Sequence, residues 1–207
     1  MTGHATFILR SSLTSPFVRK IRMVVEVLGL TDRVTLQPAA PYDEDDSLRT
    51  QNPLGKYPCL VCNDGNSFFD SSVILEYLQE VAQTDRLLPA QGPQRIRMLV
   101  QTRLADGIID AGALVIYEHR YHEKEHMSEK WLHYQRGKIW RALSSFEACP
   151  PSSQETNAVS IGLACALGFL DKRQIVDWRA SCPRLCGWLA DFAANEPAFE
   201  RTSPFLA

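Results

Sequence analysis

Residues 52–72 read Asn52-Pro53-Leu54-Gly55-Lys56-Tyr57-Pro58-Cys59-Leu60-Val61-Cys62-Asn63-Asp64-Gly65-Asn66-Ser67-Phe68-Phe69-Asp70-Ser71-Ser72, and this stretch carries most of the architectural information in the chain. Two short apolar runs, Leu60-Val61-Cys62 and Ser67-Phe68-Phe69, flank Asn63-Asp64-Gly65-Asn66, a turn composition that closes a β-hairpin. Asp70-Ser71-Ser72 follows with side chains suited to a helix start and predicts a helix over residues 71–81. Upstream, Thr6-Phe7-Ile8-Leu9-Arg10 reads as a strand. Pro16 opens a helix with Val18, Ile21, Val24, Val25 and Leu28 at helical spacing, and Gly29 closes it. Val34-Thr35-Leu36 is a further strand, and residues 38–46 form a loop rich in Pro, Ala and acidic side chains. The order is β-α-β, loop, β-β-α over roughly eighty residues, an α/β pattern.

Beyond Pro89 the character changes. Gly92-Pro93 starts a segment with Ile96, Val100, Leu104, Ile108, Ala111 and Val115 in helical register. A second helical segment carries Trp131, Ile139, Leu143 and Phe146, and Cys149-Pro150-Pro151 breaks it. Residues 158–170 are apolar on every side, as in a helix buried at a domain centre. Pro183 opens a last helix through Leu185, Trp188, Leu189 and Phe192. The expected division is an α/β domain over residues 1–83 and an all-α domain over residues 90–207, with no repeat of 20 to 50 residues.

Composition narrows the function classes. The 207 residues are 45% hydrophobic and 22% charged, enough for a real core and unlike a disordered chain. Lys and Arg number 22 against 24 Asp and Glu, so the basic excess of a nucleic-acid binder is missing. The longest apolar run, residues 159–170, is too short to span a bilayer. Met1-Thr2-Gly3-His4-Ala5 lacks the charged start and apolar stretch of a signal peptide. A cytoplasmic protein with neither membrane nor nucleic-acid partner is expected.

The 6 cysteines then read as free thiols. Cys59 and Cys62 spell Cys-x-x-Cys, but on a strand positions i and i+3 face opposite ways, and a redox pair opens a helix instead. Cys182 and Cys186 lack a second pair for zinc. His122-Glu123-Lys124-Glu125-His126 matches HExxH, which on a helix would place His122 and His126 on one face beside His119. Glu118, Arg120, Lys124 and Glu125 make this segment a solvated helix end, and no metal is expected. His4 and His133 have no evident partners.

Each remaining motif has a plain structural reading and a sharper one. In Thr14-Ser15-Pro16-Phe17, Ser15 suits an N-cap and Pro16 a first helical residue. A hydroxyl there can also donate to an anion held at the helix N-terminus. Thr202-Ser203-Pro204-Phe205 repeats the tetrapeptide, so only its place after the first strand gives it meaning. Pro58 either ends a loop or forms a cis bond that turns the Tyr57 backbone outward toward a peptide-like ligand. Asp70 and Ser71 either cap a helix or hold an amino-acid head group, carboxylate on Ser71 and ammonium on Asp70.

Taken together, Ser-Pro-Phe at the first helix, Asn-Pro-x-Gly-Lys-x-Pro before the third strand, Asp-Ser before the next helix and an all-α second half resemble a cytosolic glutathione S-transferase. The likeness covers essentially the whole chain. Ser15-Pro16-Phe17-Val18-Arg19-Lys20 and Leu104-Ala105-Asp106-Gly107-Ile108-Ile109-Asp110-Ala111-Gly112 are similar to the bacterial, serine-type members. The resemblance implies a thioredoxin-like glutathione-binding domain and an all-helical domain that contributes the electrophile pocket and dimer contacts. It implies a cis Pro58, Tyr57 main chain on the cysteinyl part of glutathione, and Asp70 and Ser71 on the γ-glutamyl head. Lys56 would lie near a glutathione carboxylate, and Ser15 would hydrogen-bond the sulfur, with Ser12 as the alternative. Leu13, Ile109, Ala113 and Tyr117 would wall the electrophile pocket. Gly107 and Gly112 would serve either close helix packing or space for that ligand.

Two departures from the family pattern are visible. Tyr57 replaces a small aliphatic residue, and Ser160 stands where the helix-capping box of Asn157-Ala158-Val159-Ser160 usually has Asp. The acidic loop from Tyr42 to Asp46 could alter how the glycine end of glutathione is held. The activity implied is conjugation of the glutathione thiolate to small hydrophobic electrophiles by a homodimer, a detoxification reaction. Disulfide or peroxide reduction, isomerisation, and a non-catalytic binding role remain alternatives on the same fold.

Overall fold

The computed structural model describes residues 6–204, so His4 and Phe205 lie outside the described residues. The chain divides into two compact units, one running to Leu88 and rejoined by the segment from Ala198, the other Pro89–Pro197.

The first unit is built on a four-stranded sheet of order β2-β1-β3-β4. Its strands are β1 (Phe7–Ser11), β2 (Val34–Pro38), β3 (Cys59–Cys62) and β4 (Ser67–Phe69). β1 runs parallel to β2 and antiparallel to β3, with Leu9 opposite both Leu36 and Leu60. The parallel pair requires a crossover, and helix α1 (Pro16–Val27) supplies it. The β3–β4 turn closes through Cys62 N–H donating to the Asn66 carbonyl at 2.8 Å, and Gly65 takes a φ of 85° that a side chain would resist. Helix α2 (Leu48–Gln51) is one short turn, and α3 (Ser71–Val81) follows β4 with the bounds expected from sequence. Together these elements make the thioredoxin-like sheet and helices that the resemblance implied.

Arg10 ties the loop after β2 to the sheet. It is 2% exposed and donates to Ser47 Oγ at 2.8 Å, Gln51 Oε1 at 2.6 Å and the Pro38 carbonyl at 3.2 Å while pairing with Asp46. Backbone N–H groups of Ala40 and Leu48, then Arg10, hold the Asp46 carboxyl below its ordinary pKa. A carboxyl lowered in the fold contributes stability above its unfolded pKa, and loses it as pH falls through the folded value. Asp46→Asn should therefore lower the melting temperature at neutral pH, with the gap to wild type narrowing as pH drops below about 4. Thermal melts across that range check this; a gap that stays constant with pH would refute it.

The second unit is helical. It contains α4 (Pro93–Tyr121), α5 (Glu129–Ala148), α6 (Ala158–Arg173) and α7 (Pro183–Asn195). The thirteen residues 158–170 of α6 are all buried, which its all-round apolar sequence requires. Its start is a complete capping box: Asn157 Oδ1 accepts from Val159 and Ser160 N–H, and Ser160 Oγ accepts from Asn157 N–H at 2.9 Å. Ser160 thus performs the reach-back usually made by a longer acidic side chain. Along α4 the expected apolar register fails at its start, where Ile96 and Val100 are 60% and 64% exposed. A strict i+4 repeat precesses by about 40° per step, so Ile96 points roughly 120° away from buried Ile108.

Gly112 and Gly107 separate cleanly. A Cβ on Gly112 would meet the Phe169 ring at 2.8 Å and Ile175 at 2.9 Å, so close packing explains it. Nothing lies within 4 Å of a Cβ on Gly107. Gly107→Ala should gain up to about 1 kcal/mol from helix propensity. Gly112→Val should lose about 1–3 kcal/mol by overpacking. Urea denaturation of both variants measures the difference, and equal stabilities would contradict it.

The C-terminal helix α8 (Ala198–Arg201) groups with the first unit, whereas the sequence suggested a helical domain continuing to residue 207. Arg19 of α1 donates to the Phe199 carbonyl at 2.7 Å and lies 4.0 Å from its ring centroid. Arg201 pairs with Glu26 at 2.6 Å. Among the described residues no helix is long and apolar enough to cross a membrane.

Candidate functional site

Three segments picked out in the sequence leave the same end of the sheet. β1 pairs Arg10 with Cys59 of β3, and β3 pairs Cys59 with Phe69 of β4. The chain after β1 (Ser12 to Ser15), before β3 (Tyr57-Pro58) and after β4 (Asp70-Ser71) therefore starts from one row of residues. Two inter-strand steps span only about 10 Å. Two helices begin at this end, and neither α1 nor α3 carries an acidic residue in its first turn. The positive dipole ends of both helices favour an anion.

Ser15 is the N-cap of α1, its Oγ accepting from Val18 N–H at 3.3 Å. That bond uses an acceptor lone pair and leaves the hydroxyl proton to be donated. Ser12 is half-buried, with its Oγ 3.3 Å from Thr14 Oγ1. Ser11 faces inward and donates to the Gln37 carbonyl at 3.3 Å, so it does not compete for a ligand.

The Tyr57-Pro58 bond is cis. Asn52, 2% exposed, shapes the approach to it: its amide donates to the Lys56 carbonyl at 2.7 Å, and its Oδ1 accepts from Leu54 N–H at 3.0 Å. Sequence reading treated Asn52 only as part of a motif; it is the buried brace of this turn. The Lys56 side chain is exposed and Tyr57 half-buried. Asp46 of the acidic loop is held by Arg10 and by backbone N–H groups.

Asp70 has φ 70° and ψ 125°, a conformation costly for a non-glycine residue, roughly 1–3 kcal/mol. Its Oδ1 accepts from Ser72 N–H at 2.8 Å and its side chain is exposed. Ser71 is 4% exposed. Behind it stands Lys20 of α1, fully buried, whose Nζ donates to Ser71 Oγ at 3.3 Å and Ser72 Oγ at 3.4 Å. The sequence offered Lys20 only as the last residue of the Ser15 to Lys20 motif, although a lysine four residues before Val24, on the apolar stripe of α1, was a visible signal.

The other motifs do not join this group. Cys59 and Cys62 are free, and burial pushes both thiols above their ordinary pKa, which makes them poor nucleophiles. α4 ends at Tyr121, and His122 is extended at φ −120°, ψ 137°, so His122 and His126 never share a helical face. Glu118 instead accepts from Ser128 N–H at 2.7 Å and lies 3.4 Å from His122 Nδ1. Of the residues expected around an electrophile, Leu13 in the first unit is 38% exposed. In the helical unit Tyr117 is 45% exposed, Ala113 is half-buried and Ile109 has no exposed surface.

Comparison with known proteins gives a consistent picture. Residues 14–81 match the model of the glutathione S-transferase N-terminal domain. The chain is 34% identical to the uncharacterized GST-like protein YibF of Escherichia coli strain K12, covering 95% of this chain and 98% of that one. A glutathione transferase family member from Pseudomonas fluorescens Pf-5, solved with bound glutathione, superposes with a TM-score of 0.90 at 37% identity, covering 96% and 99% of the two chains. A second structure of a Pseudomonas fluorescens Pf-5 family member, with bound S-(propanoic acid)-glutathione, gives a TM-score of 0.86 at 36% identity over 96% and 99%.

Proposed function

Because the chain belongs to the glutathione S-transferase superfamily, we propose that it binds glutathione at the sheet end described above and conjugates it to small hydrophobic electrophiles. The observation that carries this reading is the convergence of Ser15, the cis Tyr57-Pro58 turn and Asp70-Ser71 on one row of the sheet. In this reading Tyr57 pairs its main chain with the cysteinyl unit, as an added strand would. Asp70 takes the glutamyl ammonium, Ser71 and the start of α3 take its carboxylate, and Lys56 lies near a glutathione carboxylate. Ser15 donates to the sulfur.

The chemistry asks for a thiolate at neutral pH. A thiol with pKa near 8.5 needs about 2.7 kcal/mol to shift two units. A hydrogen bond to a charged group supplies roughly 1.5–3 kcal/mol, and a helix N-terminus about 0.3–1 kcal/mol. One hydroxyl at one helix start is sufficient. The thiol proton goes to solvent, and the thiolate sulfur attacks the electrophilic carbon. With a chloro-aromatic substrate a C–S bond forms, the C–Cl bond breaks and chloride leaves. Ser15 stabilises the thiolate and forms no covalent bond itself. Leu13, exposed in the turn just before Ser15, offers apolar surface to the electrophile. A homodimer is part of this reading, supported by Ile96 and Val100, one turn apart and exposed on α4.

Calorimetric titration with glutathione, followed by a conjugation assay with a chloro-nitroaromatic, tests the proposal. Tight binding with turnover is expected. Binding with turnover only on disulfide or peroxide substrates would transfer the assignment to reduction, and binding with no turnover on any of them would leave a binding protein.

A further inference from the structure

Lys20 sits in the middle of α1 with no exposed surface, its Nζ 3.3 Å from Ser71 Oγ. Lysine is almost never fully buried unless polar groups receive its charge. We infer that Lys20 is a positioning residue for glutathione, acting through Ser71 on the carboxylate of the γ-glutamyl head. The inference rests on the proposal that this end of the sheet is the glutathione site.

The bond has a defined polarity. An ammonium donates and cannot accept, so Ser71 Oγ is the acceptor. A serine hydroxyl carries one proton, and with its oxygen engaged toward α1 that proton is the group's one remaining donor. Ser71 is also the first residue of α3, at the positive end of the helix dipole. Asp70 Oδ1 already satisfies Ser72 N–H, which keeps that carboxylate turned to the cap. Lys20 thus commits the Ser71 hydroxyl to donating toward a carboxylate at the start of α3. Accepting from a cation strengthens the outgoing O–H donation, and the buried charge one side chain behind adds attraction in a poorly screened setting.

The test compares two ligands: glutathione, and the same tripeptide with γ-aminobutyrate in place of the γ-glutamyl residue, which removes only that carboxylate. Their dissociation constants are measured by calorimetry for wild type, Lys20→Met, Lys20→Arg and Ser71→Ala. Wild type should prefer glutathione by about tenfold or more, the scale of one hydrogen bond to a charged group. Lys20→Met should erase most of that preference by weakening glutathione alone, and Lys20→Arg should restore part of it. A merely structural lysine would weaken both ligands equally, and that result, or an unchanged preference in Lys20→Met, would overturn the inference while leaving the glutathione reading standing. Wild type that fails to bind glutathione would remove that reading itself. Lys20→Gln, polar but uncharged, takes the place of Lys20→Met if the latter does not fold: loss of the preference supports the inference, and a retained preference overturns it. Ser71→Ala should lose the preference as well, and a retained preference there overturns the relay through Ser71.

Discussion

Ser15→Ala should lower kcat/KM for conjugation by about 10- to 100-fold while leaving the glutathione dissociation constant nearly unchanged. The size follows from losing one hydrogen bond to a thiolate, roughly 1.5–3 kcal/mol. The affinity survives because the tripeptide's other contacts come from Tyr57, Asp70 and Ser71 in this reading. With the sulfur unassisted, its pKa returns toward the free-thiol range, so the pH–rate profile should move to higher pH by one to two units, about the shift that bond sustains. Ser15 also accepts from Val18 N–H as the N-cap of α1, so alanine costs about 1 kcal/mol of stability as well. Ser15→Gly separates the two effects. It loses the hydroxyl but little of the cap, so it should be nearly as stable as wild type and as slow as the alanine variant. Unchanged turnover in Ser15→Ala would move the role to Ser12, and Ser12→Ala would then be the slow enzyme.

The largest loss of stability is expected away from the site, at Trp178. This residue lies between α6 and α7, is 1% exposed, and heads the largest fully buried side chains. Its indole Nε1 donates to Asp171 Oδ1 at 2.8 Å, and the Arg179 guanidinium sits 4.7 Å from its ring centroid. Trp178→Ala should cost about 3–5 kcal/mol, since the cavity in a packed helical unit closes only in part. At 2–4 °C per kcal/mol for a chain of this size, the melting temperature should fall by roughly 6–20 °C. Trp178→Phe keeps most of the volume. Asp171 retains Arg179, bound at 2.6 Å, so no acceptor is stranded and the loss should be a small part of that for alanine. Urea unfolding of both variants provides the measurement. A loss below about 1 kcal/mol for alanine would mean that the unit relaxes into the space.

The two variants mark how far the sequence could be read. Ser15 was legible because its role is local: a serine before a proline and an apolar helical repeat is an N-cap whatever surrounds it. The same holds for Asp70 at α3, for the 71–81 helix, for the Asn63 to Asn66 turn and for the Asn157–Ser160 box, where each deciding bond spans a few residues. Trp178 was not legible, because residues 174–182 carry no period and the indole's burial depends on tertiary packing rather than on its neighbours in sequence. The HExxH string failed for the converse reason: it matched a local pattern, and the end of α4 at Tyr121 dissolved the helix it needed.

From its own residues the sequence determined the order of the four strands and of the long helices and most of their ends, and it marked Ser15, Pro58, Asp70 and Ser71 as candidates, since caps, turns and periodicity act within a few residues. The short helices α2 and α8 it did not announce. Tertiary structure alone decided the rest. It placed Arg10, Cys59 and Phe69 in one row, so that three distant segments leave from one edge. It brought Lys20 against Ser71, set Arg19 on Phe199 across 180 positions of chain, and left Ile96 exposed on α4. Such partners are chosen by register between strands and by packing between helices, and no window of sequence holds both members of the pair.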